Sequence, residues 1–227
     1  MKVIAVMPAF QEAKRIAEAV RGVRPRVDEL VVVDDGSSDQ TAKEARAAGA
    51  FVIRHRVNRG QGAALRTGTQ AALNRKADIV VHIDADGQHD PQDIAALLQP
   101  IKGQRADVVF GSRFLGIQSD GMPLVRRVVL RGGRVFNAYA LGIPKRVTDA
   151  QTGSRALNRR AATRLLERTT QDGRAHCSEM LKVLTDPALH WCEVPIHVRY
   201  TADTLAKGNQ TWHAAEIVWK LFLGKVS

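Results

Sequence analysis

The sequence predicts an α/β fold with a mostly parallel central sheet and helices on both of its faces. Short apolar runs rich in Val and Ile recur along the first half of the chain, which is typical of buried strands. Helical stretches separate these runs, and strands joined in this way form parallel sheets. A chain of 227 residues is also long enough to bury one large core.

The first half of the chain is expected to alternate between strands and helices. Strands are predicted at VIAV, ELVVVDD, AFVIRH, DIVVHID and ADVVFGS, which are residues 3–6, 29–35, 50–55, 78–84 and 106–112. Helices are predicted over residues 12–21, 40–48 and 62–75. A fourth helix is expected to begin at Pro91, because proline suits the first helical position and Asp93 suits the positive end of the helix dipole.

The second half of the chain has a less regular pattern. Helices are predicted over residues 123–141, 158–169 and 176–184, and a strand over 190–200. We expect one domain of residues 1–210, followed by an amphipathic C-terminal helix over 211–227. That helix is predicted either to lie in a membrane interface or to pack on the domain.

The composition excludes several classes of protein. No apolar run approaches the roughly 18 residues of a membrane span, and the N-terminal run is too short for a signal peptide, so a cytoplasmic protein is expected. The two cysteines and seven histidines include no cluster with zinc-ligand spacing. The formal net charge of +11 favours anionic partners. Nucleic acid is disfavoured, because aromatic residues are few and no nucleic-acid-binding motif is present.

Much of the positive charge falls between residues 113 and 164. This region is predicted to be either a solvated basic face or a binding surface for anions. Its basic residues between those ends are Arg126, Arg127, Arg131, Arg134, Lys145, Arg146, Arg155, Arg159 and Arg160.

Polar clusters follow four of the predicted strands. They read PAFQE, DDGSSD, DADGQH and GSRF, and each begins near the carboxyl end of its strand. In an open parallel sheet, ligands bind at that edge. Four such clusters at one edge predict a ligand site.

The cluster after the fourth predicted strand suggests a metal. A chain of this composition contains about one Asp-x-Asp by chance, so the triplet alone decides nothing. Asp84 and Asp86 are two residues apart, however, which directs both carboxylates to the same side of a strand. Two carboxylates suit Mg²⁺ or Mn²⁺, and Gln88 can add a neutral oxygen. For His89 we favour a role in the turn over metal ligation.

Two further clusters have alternative interpretations. The segment NRGQGAALRTG, residues 58–68, is either a plain helix-entry turn or a close backbone approach to a ligand, with Arg66 available to an anion. Asp34 and Asp35 either form a turn or bring one carboxylate to a base or ribose. A nicotinamide site is disfavoured, because its glycines would directly follow the first strand, where this chain has PAFQE.

Taken together, these motifs resemble family-2 glycosyltransferases of the GT-A fold, particularly the polyprenyl-phosphate sugar transferases. The resemblance rests on VMPAFQEAKRI, VVVDDGSSDQT, NRGQGAALRTG, HIDADGQHDPQDI, GSRF and DAQTGSRALNRRA, and it continues through SEM, EVPI and AKG up to residue 208. It implies a nucleotide-sugar site formed by Pro8, Phe10, Glu12, Val33, Asp35, Asp84, Ala85, Asp86, Arg113, Arg199 and Lys207. It also implies that Asp84, Asp86 and Gln88 hold the metal, with Asp84, Asp86, Arg113 and Asp149 as the catalytic residues.

The activity implied is metal-dependent, inverting transfer of a hexose from a nucleoside-diphosphate sugar to a polyprenyl phosphate. The expected donor is of the GDP-mannose or UDP-glucose type. An enzyme with a lipid acceptor is expected to associate peripherally with the inner face of the cell membrane. Its expected partners there are the anionic membrane surface and a small membrane protein.

Two alternatives remain at this point. A transferase acting on a sugar hydroxyl would need a general base, for which Asp149 is the candidate and Glu179 the second choice. Either residue could instead cap a helix or pair with an arginine. A non-catalytic binding module is disfavoured by the intact acids at positions 35, 84 and 86.

Overall fold

The computed structural model describes residues 1–115, 144, 146–149, 152–173 and 176–198. Its strands are β1 Val3–Ala9, β2 Glu29–Asp34, β3 Phe51–Arg54, β4 Ile79–His82, β5 Val108–Ser112, β6 Arg155–Asn158 and β7 Trp191–Pro195. Its helices are α1 Ile16–Val23, α2 Thr41–Ala47, α3 Gln61–Asn74, α4 Ile94–Lys102, α5 Arg159–Arg168 and α6 His176–Leu184.

The seven strands of this part of the chain form one sheet in the order β3-β2-β1-β4-β6-β5-β7. The pairs β1–β2, β1–β4, β2–β3 and β5–β7 are parallel. Strand β6 runs antiparallel to both of its neighbours, β4 and β5. The prediction of a mostly parallel sheet is therefore confirmed.

The five strands predicted in the first half are all present, but β6 was not predicted. Its sequence, RALN, is only four residues long and begins with an arginine that is 3% exposed. A buried arginine gives the segment neither an apolar run nor a clean alternation. The proline-initiated helix is also present, although Pro91–Asp93 form a 3-10 turn and α4 begins at Ile94.

Helices cover both faces of the sheet, as the sequence predicts. Side chains alternate along β1, so that Val3, Ala5 and Met7 pack in the layer of α1 and α4. Ile4 and Val6 pack in the opposite layer, with α3, α5 and α6. Two apolar layers thus enclose a sheet that is buried on both faces over its central strands, which is the environment expected for near-continuous apolar strands.

Helix α3 lies especially close to the sheet. A Cβ atom added at Gly68 would be 2.2 Å from Val6 Cγ1 and 3.1 Å from Val33 Cγ2. Only glycine allows this approach, which sets the distance between the middle of α3 and strands β1 and β2.

Several predictions fall outside the described residues. These are the helix over 123–141, the loop containing Lys207, and the division of the chain at residue 210. No helix in the described part of the chain is long and apolar enough to cross a membrane.

Candidate active site

A cleft of about 380 Å³ opens at the carboxyl ends of β1, β2 and β4. The sequence predicts a ligand site at this edge of the sheet. The residues lining the cleft are Pro8, Ala9, Phe10, Glu12, Asp35, Asn58, Gly60, Gln61, Ala64, Asp84, Ala85 and Asp86.

Many residues of the predicted site line this cleft, and others lie elsewhere. Those that line it are Pro8, Phe10, Glu12, Asp35, Asp84, Ala85 and Asp86. Gln88 follows the last of them by two residues. The Val33 side chain is fully buried in the core of the protein. Arg199 and Lys207 lie outside the described residues.

The loop after β1 brings Phe10 and Glu12 to the cleft. Its backbone is held by the loop after β2: the amide of Gln11 donates to Ser37 Oγ at 2.9 Å, and that of Glu12 donates to Thr41 Oγ1 at 2.9 Å. The Phe10 ring remains 45% exposed. An exposed aromatic ring at the edge of a cleft offers a flat apolar surface against which a base can stack.

Asp34 and Asp35 are adjacent acids with separate partners. The Arg54 guanidinium is 3.2 Å from the Asp34 carboxylate. The Asp35 carboxylate lies 2.7 Å from His55 Nδ1 and accepts the amide of Gly60 at 2.7 Å. Because Gly60 has a φ of 98°, which favours glycine, this contact holds the entry to α3 in a conformation that other residues rarely adopt. Asp35 thus both lines the cleft and shapes its wall.

Groups from three separate segments surround the Asp84 carboxylate. Gln61 Nε2 donates to Oδ1 at 3.0 Å, and His89 Nε2 lies 3.5 Å from Oδ2. On the other side is Gly153, where an added Cβ would be 2.0 Å from Oδ2. Burial opposes ionisation of Asp84, but the hydrogen bond and charge of His89, together with the charge of Arg155, outweigh burial and lower its pKa.

The pKa of Asp86 is shifted in the opposite direction to that of Asp84. Burial, and then the negative charge of Asp84, raise the pKa of Asp86. The Gln88 backbone amide, which donates to Asp86 Oδ1 at 3.0 Å, opposes this rise in the pKa. Two carboxylates that repel each other favour a divalent cation, which offsets the repulsion between them. Within the described residues, no third His, Cys, Asp or Glu completes a protein-only metal cage.

This donor set fits Mg²⁺ or Mn²⁺. Magnesium is commonly held by one or two carboxylates together with substrate phosphates and water, because it gives up its hydration shell reluctantly. Asp84 and Asp86 would supply the carboxylates, and Gln88, two residues along the chain from Asp86, would add a neutral oxygen. The remaining coordination positions would be free for diphosphate oxygens and water.

Arg113 and Asp149 form a second polar cluster after β5. Arg113 Nε donates to Asp149 Oδ2 at 2.6 Å, and Nη2 donates to Oδ1 at 2.7 Å. The Asp149 side chain is buried, at 1% exposure, and that of Arg113 is largely covered, at 9% exposure. Glu193 of β7 accepts the backbone amides of Thr148 and Asp149, which fixes the segment carrying the acid. Both oxygens of the Asp149 carboxylate are therefore engaged in an ion pair with Arg113.

Glu179, the second candidate base, also has a structural task. Its carboxylate accepts the amide of Thr170 at 3.0 Å and that of Gln171 at 2.8 Å. It thereby anchors the loop between α5 and α6. This loop packs against the start of α3, where Arg66 donates to Gln171 O at 3.1 Å and pairs with Asp172. Arg66, considered available to an anion, is thus engaged within the protein.

Sequence reasoning missed Gln61 and Gly153. Gln61 lies in the glycine-rich segment from which only Arg66 was selected, and Gly153 lies in the quoted DAQTGSRALNRRA segment. The sequence signal available was the presence of glycines where backbone passes close to another group. Which group is approached, the Asp84 carboxylate, depends on β6 lying beside β4, and β6 was not predicted.

The comparisons with known proteins agree with this geometry. The family model described as glycosyl transferase family 2 matches residues 4–166. A UDP-N-acetylglucosamine--dolichyl-phosphate N-acetylglucosaminyltransferase of Methanococcus voltae is 33% identical over 97% of this chain and 95% of its own length. An undecaprenyl-phosphate mannosyltransferase of Micrococcus luteus is 31% identical over 69% of this chain and 66% of its own.

Solved structures show the same fold. A glucosyl-3-phosphoglycerate synthase of Mycobacterium tuberculosis, crystallised with Mn²⁺, UDP-glucose and glycerol 3-phosphate, superimposes with a TM-score of 0.66 at 25% identity. The match covers 90% of this chain and 75% of that one.

The fold and the cleft therefore define a GT-A glycosyltransferase. The chain belongs to glycosyl transferase family 2.

Proposed function

We propose that this glycosyltransferase is metal-dependent and inverting, and that it moves a hexose from a nucleoside-diphosphate sugar of the GDP-mannose or UDP-glucose type to a polyprenyl phosphate. The names of the relatives from Methanococcus voltae and Micrococcus luteus support a polyprenyl phosphate acceptor. The observation that carries the proposal is the pairing of both Asp149 oxygens with Arg113.

The pairing matters because the two classes of acceptor need different chemistry. A sugar hydroxyl must lose a proton as it attacks, which requires a general base. A phosphate monoester has a second pKa of about 6 and is largely ionised at neutral pH. Asp149 is bound to Arg113, and Glu179 holds the α5–α6 loop. This arrangement supports an acceptor that arrives already ionised.

In the proposed reaction, an acceptor phosphate oxygen attacks the anomeric carbon from the face opposite the nucleoside diphosphate. One C–O bond forms as the other breaks, and the configuration at the anomeric carbon is inverted. Phe10 and Asp35 would hold the nucleoside, since both line the cleft together with Pro8. Asp84, Asp86 and Gln88 would hold the metal ion, which when bound stabilises negative charge on the departing diphosphate. The binding site thus contributes mainly orientation and charge stabilisation.

The membrane association is proposed on the chemistry of the acceptor, since a polyprenyl chain resides in a bilayer. The enzyme would bind peripherally to the anionic inner face of the cell membrane, alone or with a small membrane protein. Most of the basic residues predicted for this role, from Arg126 to Lys145, lie outside the described residues. Arg146 is exposed and lies over the Trp191 ring at 4.2 Å, whereas Arg155 is buried and is not available to a membrane surface.

An acceptor comparison tests the proposal. The purified chain is incubated with Mn²⁺ and a radiolabelled donor, either GDP-mannose, UDP-glucose or UDP-N-acetylglucosamine. Each donor is offered polyprenyl phosphate, an oligosaccharide or 3-phosphoglycerate, with and without EDTA. We expect label in the lipid product alone, and only in the absence of EDTA. Faster transfer to the oligosaccharide or to 3-phosphoglycerate, or no transfer from any donor, would contradict the proposal.

A further inference from the structure

The hydrogen bond between Gln61 and Asp84 connects two walls of the cleft. Gln61 is the first residue of α3, and Asp84 follows β4 by two residues. The Gln61 side-chain amide is neutral. It can therefore orient the Asp84 carboxylate without neutralising the negative charge that would attract a cation. It occupies one lone-pair position of Oδ1 and leaves the others open.

Asp84 has little freedom on its other side. Gly153 packs so closely against the carboxylate that even a methyl group there would overlap Oδ2. His89 approaches the same oxygen at 3.5 Å. The carboxylate is therefore held between Gly153 and Gln61, and of these two only Gln61 holds it through a hydrogen bond.

The position of Gln61 is itself fixed by the loop between α5 and α6. The amide of Gly62 donates to Asp172 O at 3.1 Å. A Cβ atom at Gly62 would be 2.3 Å from Gln171 O, and Arg66 donates to that same carbonyl group. The loop thus holds the first turn of α3 in place, and the Glu179 carboxylate in turn holds the loop by accepting the Gln171 amide. The Gln61 side chain is exposed, but this fixed backbone places its Cα within reach of Asp84, and the hydrogen bond to Oδ1 orients the amide.

We propose that Gln61 is a positioning residue that orients Asp84 for the divalent cation, and so sets how tightly the cleft binds that cation. This inference rests on the proposed metal-dependent function. Outer partners that orient a metal-binding carboxylate commonly change metal affinity by about tenfold or more when they are removed.

The test measures Mn²⁺ binding directly, by the loss of the free-ion signal in electron paramagnetic resonance, with and without UDP or GDP. Gln61→Met keeps the length of the side chain but removes the donor. Gln70→Met is the matched control, because Gln70 lies on the same helix and donates instead to Asn74 Oδ1 at 2.9 Å. We expect Mn²⁺ to bind about tenfold more weakly to Gln61→Met and unchanged to Gln70→Met.

A kinetic measurement distinguishes positioning from a general structural role. The Mn²⁺ concentration for half-maximal transfer should rise about tenfold in Gln61→Met, while kcat at saturating Mn²⁺ changes by less than about threefold. Equal Mn²⁺ affinity in Gln61→Met and the parent, with metal-dependent transfer retained, would overturn the inference and leave the proposed function standing. Absence of Mn²⁺ binding by the parent, with or without nucleotide, would overturn both.

Discussion

Arg113 and Asp149 are joined by two short hydrogen bonds, Nε to Oδ2 at 2.6 Å and Nη2 to Oδ1 at 2.7 Å. Asp149 is buried and Arg113 is largely covered, and the Arg113 backbone amide also donates to Asp149 Oδ2 at 3.2 Å. A carboxylate in this setting directs a guanidinium through a planar, two-point contact. We interpret Asp149 as the residue that orients Arg113. That Arg113 contacts the sugar or the diphosphate of the donor stays a prediction, because Arg113 is not among the residues that line the cleft.

The first prediction concerns the coupling between these residues. Asp149→Asn leaves a buried guanidinium without its counter-charge, so the free energy of unfolding should fall by about 3 kcal/mol. The double variant Arg113→Met/Asp149→Asn should lose less stability than the sum of the single variants, with a coupling of about 1 kcal/mol or more in urea unfolding.

The same variants report on catalysis. If Asp149 acts through Arg113, the double variant should transfer sugar to polyprenyl phosphate no more slowly than Arg113→Met alone. Multiplicative losses in kcat would instead show that Asp149 has its own role in the reaction, as a base would.

The second prediction concerns Gly153. Alanine there would place Cβ 2.0 Å from Asp84 Oδ2, so the carboxylate must rotate away. Gly153→Ala should therefore lower the Mn²⁺ affinity of the cleft more than Gln61→Met does, which calorimetric titration would measure. Gly103→Ala, at the end of α4, is the control, since its added Cβ comes no closer than 3.3 Å to its neighbours. Unchanged Mn²⁺ affinity in Gly153→Ala would refute the contact.

The third prediction concerns the close packing of α3 on the sheet. Alanine is the better helix former by about 1 kcal/mol, yet Gly68→Ala should destabilise the protein by about 1–3 kcal/mol, because the new methyl group overlaps Val6. The double variant Val6→Ala/Gly68→Ala removes that overlap and should be more stable than the sum of the two single changes predicts. Chemical denaturation measures all three. Stabilisation by Gly68→Ala alone would contradict the packing.

The fourth prediction concerns pH and His82. Burial, and then the charge of Arg155, lower the pKa of His82 from 6.5 to about 3. Below pH 6.5, His82 is protonated in the unfolded chain but stays neutral in the folded protein. The stability that depends on neutral His82 is therefore fully present above pH 6.5 and is lost as the pH falls toward 3. Between pH 7 and pH 5 the loss from this residue is about 2 kcal/mol.

The variant His82→Gln tests this assignment in metal-free buffer. Glutamine can bond to Thr69 Oγ1, the present partner of His82 Nε2 at 2.8 Å, but it does not titrate. The fall in unfolding free energy between pH 7 and pH 5 should be smaller in His82→Gln by about 2 kcal/mol. An identical fall in both proteins would show that His82 titrates normally.

The sequence predicts the framework of the fold because the central strands are buried on both faces. Val31, Val32 and Val33 belong to one such apolar run, and local composition alone identifies it as a strand. Strand β6 could not be predicted in this way, because a charged residue, Arg155, occupies a core position. There its guanidinium donates to Thr152 O rather than to solvent. Burial of an arginine depends on neighbours that are distant in the chain.

The candidate site was predictable to a similar extent. Asp84 and Asp86 follow a recognisable strand, so their place at the sheet edge follows from the chain order. Gln61 and Gly153 became visible only in three dimensions, because each acts on Asp84 from another segment of the chain. The partners of Asp149 and Glu179 likewise could not be chosen from the sequence, where both remained candidate bases.

The assignment of Asp84 and Asp86 to a metal–diphosphate site is tested by the metal-dependent binding of a nucleoside diphosphate. Calorimetric titration of UDP and GDP, each with and without Mn²⁺, compares the parent chain with Asp84→Ala/Asp86→Ala. Glu167→Ala is the control, since it removes an exposed carboxylate from α5. We expect Mn²⁺-dependent binding of one nucleotide by the parent and the control, and its loss in the double variant. Retention of Mn²⁺-dependent binding by the double variant would contradict the assignment of the site.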